Sequence, residues 1–411
     1  MLTNETNVVH TVTYLVTATP PTGTCANNIF TVTVTLYPAP QINAMSTVVC
    51  SGIGFSVAAT NTLNGIVPVN TQYIWDTPNR STVSLTNGTS NNSYTSTISG
   101  LLNNATNLQQ TATYRVTPRV LLNSCLGSPF TLTVFVNPTP SIVPFSRVIC
   151  SGATFEVSPA TNYTNGIVPV NTVYSWAAPV VPSVSGLFSA SNASSISGTL
   201  TQLTNAQQQV TYQVVPAAGV CIGATFVVDV FVNPIPVISA MSNVTCSGVP
   251  FDISPVQGTN GTVPAAANMS YNWTYLTVSN VSLTGGANGN SGFGNSFTGT
   301  LTNGTNVQQT ATYNVTPTYR NSGLSCVGAT FSAVIFVNPK AVINAISTTV
   351  CSGSPFVVSP TNLTNGIVPA GTTYTWNPPT VSTLSLTGGA GASLVNSISG
   401  TLNNQTNTLQ T

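Results

Sequence analysis

The sequence predicts an all-β protein built from tandem β-sandwich domains. Apolar residues alternate with Thr or Ser over short segments, turn signals recur about every 8–12 residues, and the whole pattern repeats about every 100 residues. Alternation places every second side chain in a core, as a half-buried strand requires. A repeat of this length is the size of a complete domain, so each unit can bury its own core.

Each repeat begins at a joint, which we define as a proline-containing segment followed by a Cys-Ser-Gly turn. One joint runs from Asn137-Pro138 to Cys150-Ser151-Gly152. The four joint cysteines, Cys50, Cys150, Cys246 and Cys351, are 100, 96 and 105 residues apart. The joints predict three whole modules at residues 39–138, 139–234 and 235–339. Residues 1–38 supply the last strands of an incomplete module, and residues 340–411 supply the first part of another.

The elements of a module can be assigned in order from the first whole repeat. A short strand carrying Phe55 follows the Cys-Ser-Gly turn, and Asn64-Gly65 marks a tight turn because both residues tolerate positive φ. A strand with Tyr73 and Trp75 comes next, then a polar stretch that varies most between repeats. Further strands at residues 97–101, 111–117 and 130–136 complete the module. About seven short strands of this kind are typical of an immunoglobulin-like sandwich.

A Tyr-x-Trp strand recurs in every repeat and has two interpretations. The two aromatic side chains share one strand face, which could be a core face or a platform for stacking sugars. A strand in a sandwich needs one buried face, so we expect the core. The predicted core tryptophans are Trp75, Trp176, Trp273 and Trp376.

Charge is almost absent from the chain, which has six Lys plus Arg, five Asp plus Glu and one His. No basic patch is available for nucleic acid, and no apolar run approaches the roughly 20 residues of a membrane span. Because 42% of the residues are hydrophobic and alternate regularly, we expect a folded chain whose surface is made of Thr, Ser and Asn.

Two cysteines occur in each period, which favours disulfides in an oxidising, extracellular compartment. Within-module pairing would join Cys50 to Cys125, Cys150 to Cys221 and Cys246 to Cys326. Between-module pairing would join Cys50 to Cys221 and Cys150 to Cys326, because the first turn of one module faces the last hairpin of the next. Both remain open at this point. The candidates are Cys25, Cys50, Cys125, Cys150, Cys221, Cys246, Cys326 and Cys351.

No residue set indicates catalysis, a metal site or a cofactor. His10 is the only histidine, and Glu156 and Asp252 share an outward strand position rather than forming a dyad. Calcium sites need several oxygen ligands, usually with carboxylates among them, and the sequence has no acidic cluster. We therefore expect neither an enzyme nor a cofactor-binding protein.

The chain begins and ends at the same phase of the repeat. Residues 2–7 match residues 402–407, and both match residues 301–306. Two explanations remain open: the chain is a fragment of a longer polypeptide, or its first two strands complete a neighbouring subunit by strand donation.

Several motifs resemble a known family. They include Val-Cys-Ser-Gly-x-x-Phe-x-Val, Asn-Gly-Ile-Val-Pro, Tyr-x-Trp, Gln-Thr-Ala-Thr-Tyr-x-Val-Thr-Pro and Phe-x-Val-x-Val-Asn-Pro. Together they resemble the PKD-like repeats of giant Bacteroidota cell-surface proteins, in particular the gliding-motility adhesins of flavobacteria exported by type IX secretion. The resemblance covers the whole chain and implies a filament at the cell surface that touches substrata, polysaccharide or other cells.

The functional expectation is a structural segment of an extracellular filament or adhesin stalk. Prolines at the joints restrict bending, so successive sandwiches should form an elongated rod. The alternative is a tandem carbohydrate-binding array that uses variable loops or the aromatic strands. Expected partners are further copies, the continuation of a longer chain, or a polysaccharide or cell-surface ligand.

Overall fold

The computed structural model describes residues 1–22, 28–294 and 296–411. The all-β prediction is confirmed, since one 3-10 turn, Ala266–Asn268, is the only helical element among these residues. A two-stranded hairpin opens the chain, formed by β1 (His10–Ala18) and β2 (Asn28–Leu36).

The first complete module follows the hairpin. Its strands are β3 (Gln41–Ile42), β4 (Met45–Cys50), β5 (Phe55–Val57), β6 (Gly65–Ile66), β7 (Thr71–Trp75), β8 (Asn79–Arg80), β9 (Leu85–Asn87), β10 (Asn91–Thr95), β11 (Ile98–Gly100), β12 (Leu102–Asn104), β13 (Gln110–Val120) and β14 (Phe130–Asn137).

The second module follows a similar succession, in which the equivalent of β8 is replaced by a hairpin strand, β25. Its strands are β15 (Ser141–Ile142), β16 (Phe145–Cys150), β17 (Thr154–Val157), β18 (Gly166–Ile167), β19 (Val173–Trp176), β20 (Val184–Ser185), β21 (Ala190–Ala193), β22 (Ile196–Thr199), β23 (Thr201–Gln202), β24 (Gln208–Ala218), β25 (Cys221–Ile222) and β26 (Phe226–Asn233).

The third module follows in the same order. Its strands are β27 (Val237–Ile238), β28 (Met241–Cys246), β29 (Pro250–Ile253), β30 (Gly261–Thr262), β31 (Met269–Val278), β32 (Leu283–Thr284), β33 (Gly289–Asn290), β34 (Phe297–Thr300), β35 (Thr302–Asn303), β36 (Gln309–Asn321), β37 (Leu324–Val327) and β38 (Phe331–Asn338).

The residues after β38 form seven further strands. They are β39 (Val342–Ile343), β40 (Pro355–Val358), β41 (Gly366–Ile367), β42 (Tyr374–Trp376), β43 (Leu386–Gly388), β44 (Ala392–Val395) and β45 (Ile398–Asn404). These residues contain no counterparts of β13 and β14, so β42 and β44 pair only with each other.

The larger sheet of the first module has the strand order β10-β7-β13-β14-β4, with β8 attached to β13. All of these pairs are antiparallel except β4 with β14, which run parallel from Met45 beside Leu132 to Cys50 beside Asn137. The opposite layer consists of short pairs, β5 with β11, β9 with β12 and β3 with β6. The other two complete modules have the same order of five strands and the same short pairs, but in place of β8 the attached strand is a hairpin strand, β25 on β24 and β37 on β36.

The core of each module lies between these layers and follows from the alternation. In β13 the inward positions Ala112, Tyr114 and Val116 are fully buried, and in β14 Leu132 and Val134 are fully buried. Each of the three complete modules has its own cluster of buried apolar side chains. Since no cluster is shared, each module is held together by its own apolar burial.

Two buried tyrosines of the first module differ in how their hydroxyl groups are satisfied. The Tyr73 hydroxyl accepts a hydrogen bond from the Ala59 N–H at 3.2 Å. The Tyr114 hydroxyl has no hydrogen-bond partner among the described residues. A buried polar group without a partner retains its full desolvation cost, which is about 1–3 kcal/mol.

Removing the two hydroxyl groups should therefore have opposite effects. We expect Tyr114→Phe to raise the free energy of unfolding of the first module by about 1 kcal/mol, and Tyr73→Phe to lower it by a similar amount. Native-state hydrogen exchange of peptides from β13 measures the change. Equal destabilisation by both substitutions would contradict the assignment.

Buried tyrosines also set the alkaline limit of stability. Burial raises the pKa of Tyr114, Tyr174, Tyr212, Tyr271 and Tyr313 to about 12, from the ordinary value of 10.0. The unfolded chain ionises first, so the stability contributed by these groups is complete below pH 10. It falls as the pH rises towards 12.

We expect the free energy of unfolding to fall above pH 10 by up to about 2 kcal/mol for each of these tyrosines. Tyrosinate absorbance, recorded within seconds of a pH jump so that the disulfides stay intact, should rise later for native chain than for chain in urea. Coincident titration of the two samples would contradict the prediction.

Candidate functional site: the disulfide-linked junctions between modules

The Cys-Ser-Gly turn lies at the carboxyl-terminal end of its own module. Parallel pairing brings Cys50, the last residue of β4, beside Asn137, the last residue of β14. The Ser51 N–H donates to the Asn137 carbonyl at 2.8 Å, and the Thr139 hydroxyl donates to the Ser51 carbonyl at 3.0 Å. These hydrogen bonds hold the turn against the proline-containing segment that leads into the next module.

The second cysteine of each module lies at the opposite end. Cys221 begins β25, which pairs with β24 in the hairpin that leads into β26. The eight residues of β26 separate this hairpin from the exit at Asn233, a distance of about 23 Å at 3.3 Å per residue. A disulfide requires Cα atoms within about 7 Å, so the two cysteines of one module cannot meet.

The disulfides join successive modules. Cys50 is bonded to Cys221 with a Cα–Cα distance of 5.5 Å, and Cys150 is bonded to Cys326 with a Cα–Cα distance of 5.6 Å. The within-module pairing is therefore wrong, for the reason of distance just given. The rule is that a joint cysteine pairs with the hairpin cysteine of the following module.

Three of the candidate disulfide cysteines, Cys125, Cys246 and Cys351, are free thiols in this structure. Cys125 is the hairpin cysteine of the first complete module, so the rule would pair it with the joint cysteine of a preceding module. Cys246 and Cys351 are joint cysteines that would need a following hairpin. The remaining candidate, Cys25, lies outside the described residues.

An asparagine docks the first complete module onto the second. The side chain of Asn107 is buried, and its amide donates to the Thr161 carbonyl while its Oδ1 accepts from the Val168 N–H at 2.8 Å. The Asn107 N–H donates to the Tyr163 hydroxyl at 3.2 Å. At the next junction Asn205 donates to the Val263 carbonyl at 3.3 Å. These contacts orient the modules that the disulfides tie together.

A second buried asparagine holds the turn that carries Asn107. Asn104 Nδ2 donates to the carbonyls of Leu108 and Val136 at 2.7 and 2.9 Å, and its Oδ1 accepts from the N–H and hydroxyl of Thr106. With its hydrogen-bonding capacity used internally, this side chain stiffens the turn. Asn303 makes the equivalent contacts in the third module.

Sequence reasoning had not assigned a role to Asn107. A usable signal was present, because asparagine recurs at the same phase of every repeat, at Asn7, Asn107, Asn205, Asn306 and Asn407.

The four tryptophans are engaged internally. Trp75 and Trp176 are buried, with 5% and 6% exposure, and Trp273 and Trp376 are half-buried. Each indole Nε1–H donates to a backbone carbonyl at 2.9–3.1 Å, the acceptors being Thr89, Phe188, Ala287 and Ala390. Trp75 and Trp176 therefore offer no open face for stacking a sugar, whereas Trp273 and Trp376 keep part of the indole exposed.

Most of the few charged groups are exposed and lie apart from one another. The pair of Arg115 and Asp76 is 3.7 Å apart and well exposed, so it contributes little to stability. Glu156 and Asp252 each accept a hydrogen bond from a nearby serine. His10 is hydrogen-bonded to the hydroxyl of Thr6. Across the described residues, no three His, Cys, Asp or Glu side chains lie close enough together to hold a metal ion.

The chain belongs to the PKD-like domain family. The family model matches residues 47–140, 147–236 and 243–341, with one match in each of the three complete modules. No curated protein sequence matches the chain. Within residues 1–22, 28–294 and 296–411, no helix has the length and apolar character needed to cross a membrane.

Several solved structures of tandem domains are similar to this chain at low sequence identity. Three N-terminal domains of the bacteriophage RB49 highly immunogenic outer capsid protein are 12% identical, with 71% of this chain and 96% of that chain covered and a TM-score of 0.33. The FN1–FN3 domains of chicken CNTN1 are 10% identical, with 70% and 95% covered and a TM-score of 0.27. The insect immune protein hemolin is 10% identical, with 88% and 93% covered and a TM-score of 0.25.

The overlapping disulfides make a specific prediction about cleavage. Val281 and Leu384 are exposed residues eight positions after the tryptophan of their repeats. A protease site inserted at Val281 lies inside the loop closed by Cys150 and Cys326, whereas one at Leu384 lies outside both disulfide loops.

After cleavage at Val281 we expect one band on a denaturing gel without reductant and two bands with it. Cleavage at Leu384, the matched control, should give two bands under both conditions. Separation of the Val281 fragments without reductant would show that the modules are not linked as described.

Proposed function

We propose that this chain is a structural segment of an extracellular filament or adhesin stalk that supports surface adhesion or gliding motility. The observation that carries the proposal is the pair of overlapping disulfides, each joining one module to the next. A bond within a module stabilises that module alone, whereas a bond between modules resists their separation. Resistance to separation is the property that a filament under tension needs.

The overlap shortens the path along which force travels. The shortest covalent route runs from residue 1 to Cys50, crosses to Cys221, returns to Cys150, crosses to Cys326 and continues to residue 411. This route uses about half of the 411 residues. The remaining residues are bypassed by disulfides, so pulling on the ends of the chain places no sustained tension on them.

The proposed location is the cell surface. Stable disulfides are typical of oxidising environments outside the cytosol, and an uncharged surface rich in Thr, Ser and Asn suits a long exposed spacer. The motif resemblance to gliding-motility adhesins supports a Bacteroidota surface protein exported by type IX secretion. A role as a sugar-binding array receives no support from Trp75 and Trp176, which are buried and hydrogen-bonded within their modules.

We propose the module boundaries given by the joints, residues 39–138, 139–234 and 235–339, with partial units at residues 1–38 and 340–411. The apolar clusters support this division, because the members of each cluster come from within a single proposed unit. Each of the three whole modules would unfold as a separate cooperative block.

Force spectroscopy tests the mechanical proposal. The fully extended 411-residue chain should reach about 1,400 Å at roughly 3.4 Å per residue. The oxidised chain should stop at about half that length, roughly 700 Å, because the disulfides bypass the remainder.

The double variant Cys50→Ser with Cys150→Ser should extend to the full length without reductant. Cys246→Ser, which removes a free thiol, is the matched control and should behave as the unaltered chain. Equal extension of oxidised chain and double variant would refute the proposed mechanical role.

A further inference from the structure

The junction between the second and third modules differs from the first junction in how its turn asparagine is docked. At the first junction the Asn107 N–H donates to the Tyr163 hydroxyl at 3.2 Å. At the second junction the counterpart of Tyr163 is Gly258, which has no side chain to accept from the Asn205 N–H. The two loop positions share a left-handed backbone, with φ of 68° at Tyr163 and 80° at Gly258.

Two further departures from the repeat occur at the same junction. In the third module ten positions separate the glycine of the Asn-Gly turn from the tyrosine of Tyr-x-Trp, against eight in the other modules. The longer segment contains the 3-10 turn Ala266–Asn268. In addition, Tyr319 stands where the first and second modules have Val120 and Ala218. Three changes in otherwise similar repeats thus meet at one place.

The changed residues border a cleft of about 480 Å³, which we call the junction cleft. Its lining includes Asn205 and Gln207 from the second module, and Gln257, Pro264 and Tyr319 from the third. Every residue in this lining is uncharged. The volume falls within the range of roughly 300–1,000 Å³ that is usual for ligand pockets.

The first junction shows what kind of group fits between two such walls. Tyr163 lies in the loop that corresponds to residues 255–266, and its hydroxyl reaches Asn107 on the opposing turn. The tyrosine side chain therefore bridges the space between loop and turn. At the second junction, a Cβ placed on Gly258 would meet no atom within 4 Å beyond its neighbours in the chain. The position that a tyrosine fills in one junction is open in the next.

We propose that the junction cleft binds a tyrosine side chain presented by an uncharged segment of another protein. The tyrosine hydroxyl would accept from the Asn205 N–H, as the Tyr163 hydroxyl accepts from Asn107. Its ring would lie against the apolar part of the lining, which includes Pro255 and Pro264. Tyrosine suits such a site because it combines a large apolar ring with a polar tip. The cleft would give the segment a recognition role in addition to its proposed mechanical one.

Amide groups in the lining can bind the backbone on either side of that tyrosine. Gln257 accepts from the Val263 N–H through Oε1 at 2.6 Å, and Gln207 donates through Nε2 to Asn233 Oδ1 at 2.8 Å. The Nε2 group of Gln257 and the Oε1 atom of Gln207 take no part in these two bonds. One can donate to a peptide carbonyl and the other can accept from a peptide N–H.

The uncharged lining also restricts the partner. A charged side chain in the cleft would lose hydration without gaining an opposite charge, so the bound segment should be neutral. A neutral sugar can use the same amide groups. Tyrosine is the favoured occupant because Tyr163 provides a template for it within the chain, whereas no sugar-like group occupies the first junction.

Nuclear magnetic resonance of the 411-residue chain, labelled with ¹⁵N at asparagine, tests the proposal. The probe is N-acetyl-L-tyrosinamide. We expect the backbone N–H resonance of Asn205 to shift saturably with a Kd on the order of 1 mM, because a single side chain buries little surface. The resonance of Asn107 is the internal control and should stay in place, since Tyr163 already occupies that junction. N-acetyl-L-phenylalaninamide lacks the hydroxyl and should bind about fivefold more weakly.

Two substitutions at one position separate filling of the cleft from a change of the loop. Gly258→Tyr should abolish the probe-induced shift, because the chain's own ring then fills the cleft. The backbone there already has the conformation that Tyr163 adopts. Gly258→Asn is the matched control, since asparagine tolerates positive φ and is too short to span the cleft. It should bind the probe as the unaltered chain does. An unchanged resonance of Asn303 in both variants would show that the third module is folded.

Several results would overturn the proposal. One is an Asn205 resonance that does not move at the highest soluble concentration of N-acetyl-L-tyrosinamide. A shift that persists in Gly258→Tyr would place the probe elsewhere. A shift produced by methyl β-glucoside but not by the tyrosine probe would assign the cleft to a sugar. An Asn205 resonance that moves with protein concentration in the absence of probe would assign it to a second copy of this chain.

Discussion

Parallel pairing of β4 with β14, the last strand of the same module, is the constraint on which the rest of the structure depends. Because β4 runs alongside β14, the Cys-Ser-Gly turn is carried to the end where the chain leaves the module. The remaining cysteine stays in the hairpin at the other end. About 23 Å of strand separates them, so only a neighbouring module can supply a partner. The linked chain of domains follows from this one pairing.

The junction combines two kinds of interaction with different roles. Disulfides limit how far neighbouring modules can separate. Hydrogen bonds determine how one module is oriented on the next. Those of the buried Asn107 amide cross the boundary between modules, and those of Asn104 hold the turn that carries Asn107 in place. The apolar clusters remain within modules. Hydrogen bonds and disulfides therefore hold successive modules together.

Much of the module could be predicted because its determinants are local. Alternation in residues 111–117 and 130–136 predicts strands with one buried face, and Tyr114 and Val134 lie on that face. The recurrence of Tyr-x-Trp predicts equivalent strands, yet Trp273 and Trp376 are less buried than Trp75. That difference in burial depends on which strands and loops pack against each indole. The sequence of a strand does not specify which other segments pack against it.

The sequence by itself determined the all-β class, the period of the modules and the positions of the joints. These properties depend on patterns within one repeat, and backbone geometry translates such patterns directly into strands and turns. Only the tertiary structure decided which cysteines pair and that Asn107 docks one module onto the next. Those outcomes depend on which ends of two modules are brought together, a relation between residues far apart in the chain that no local pattern encodes.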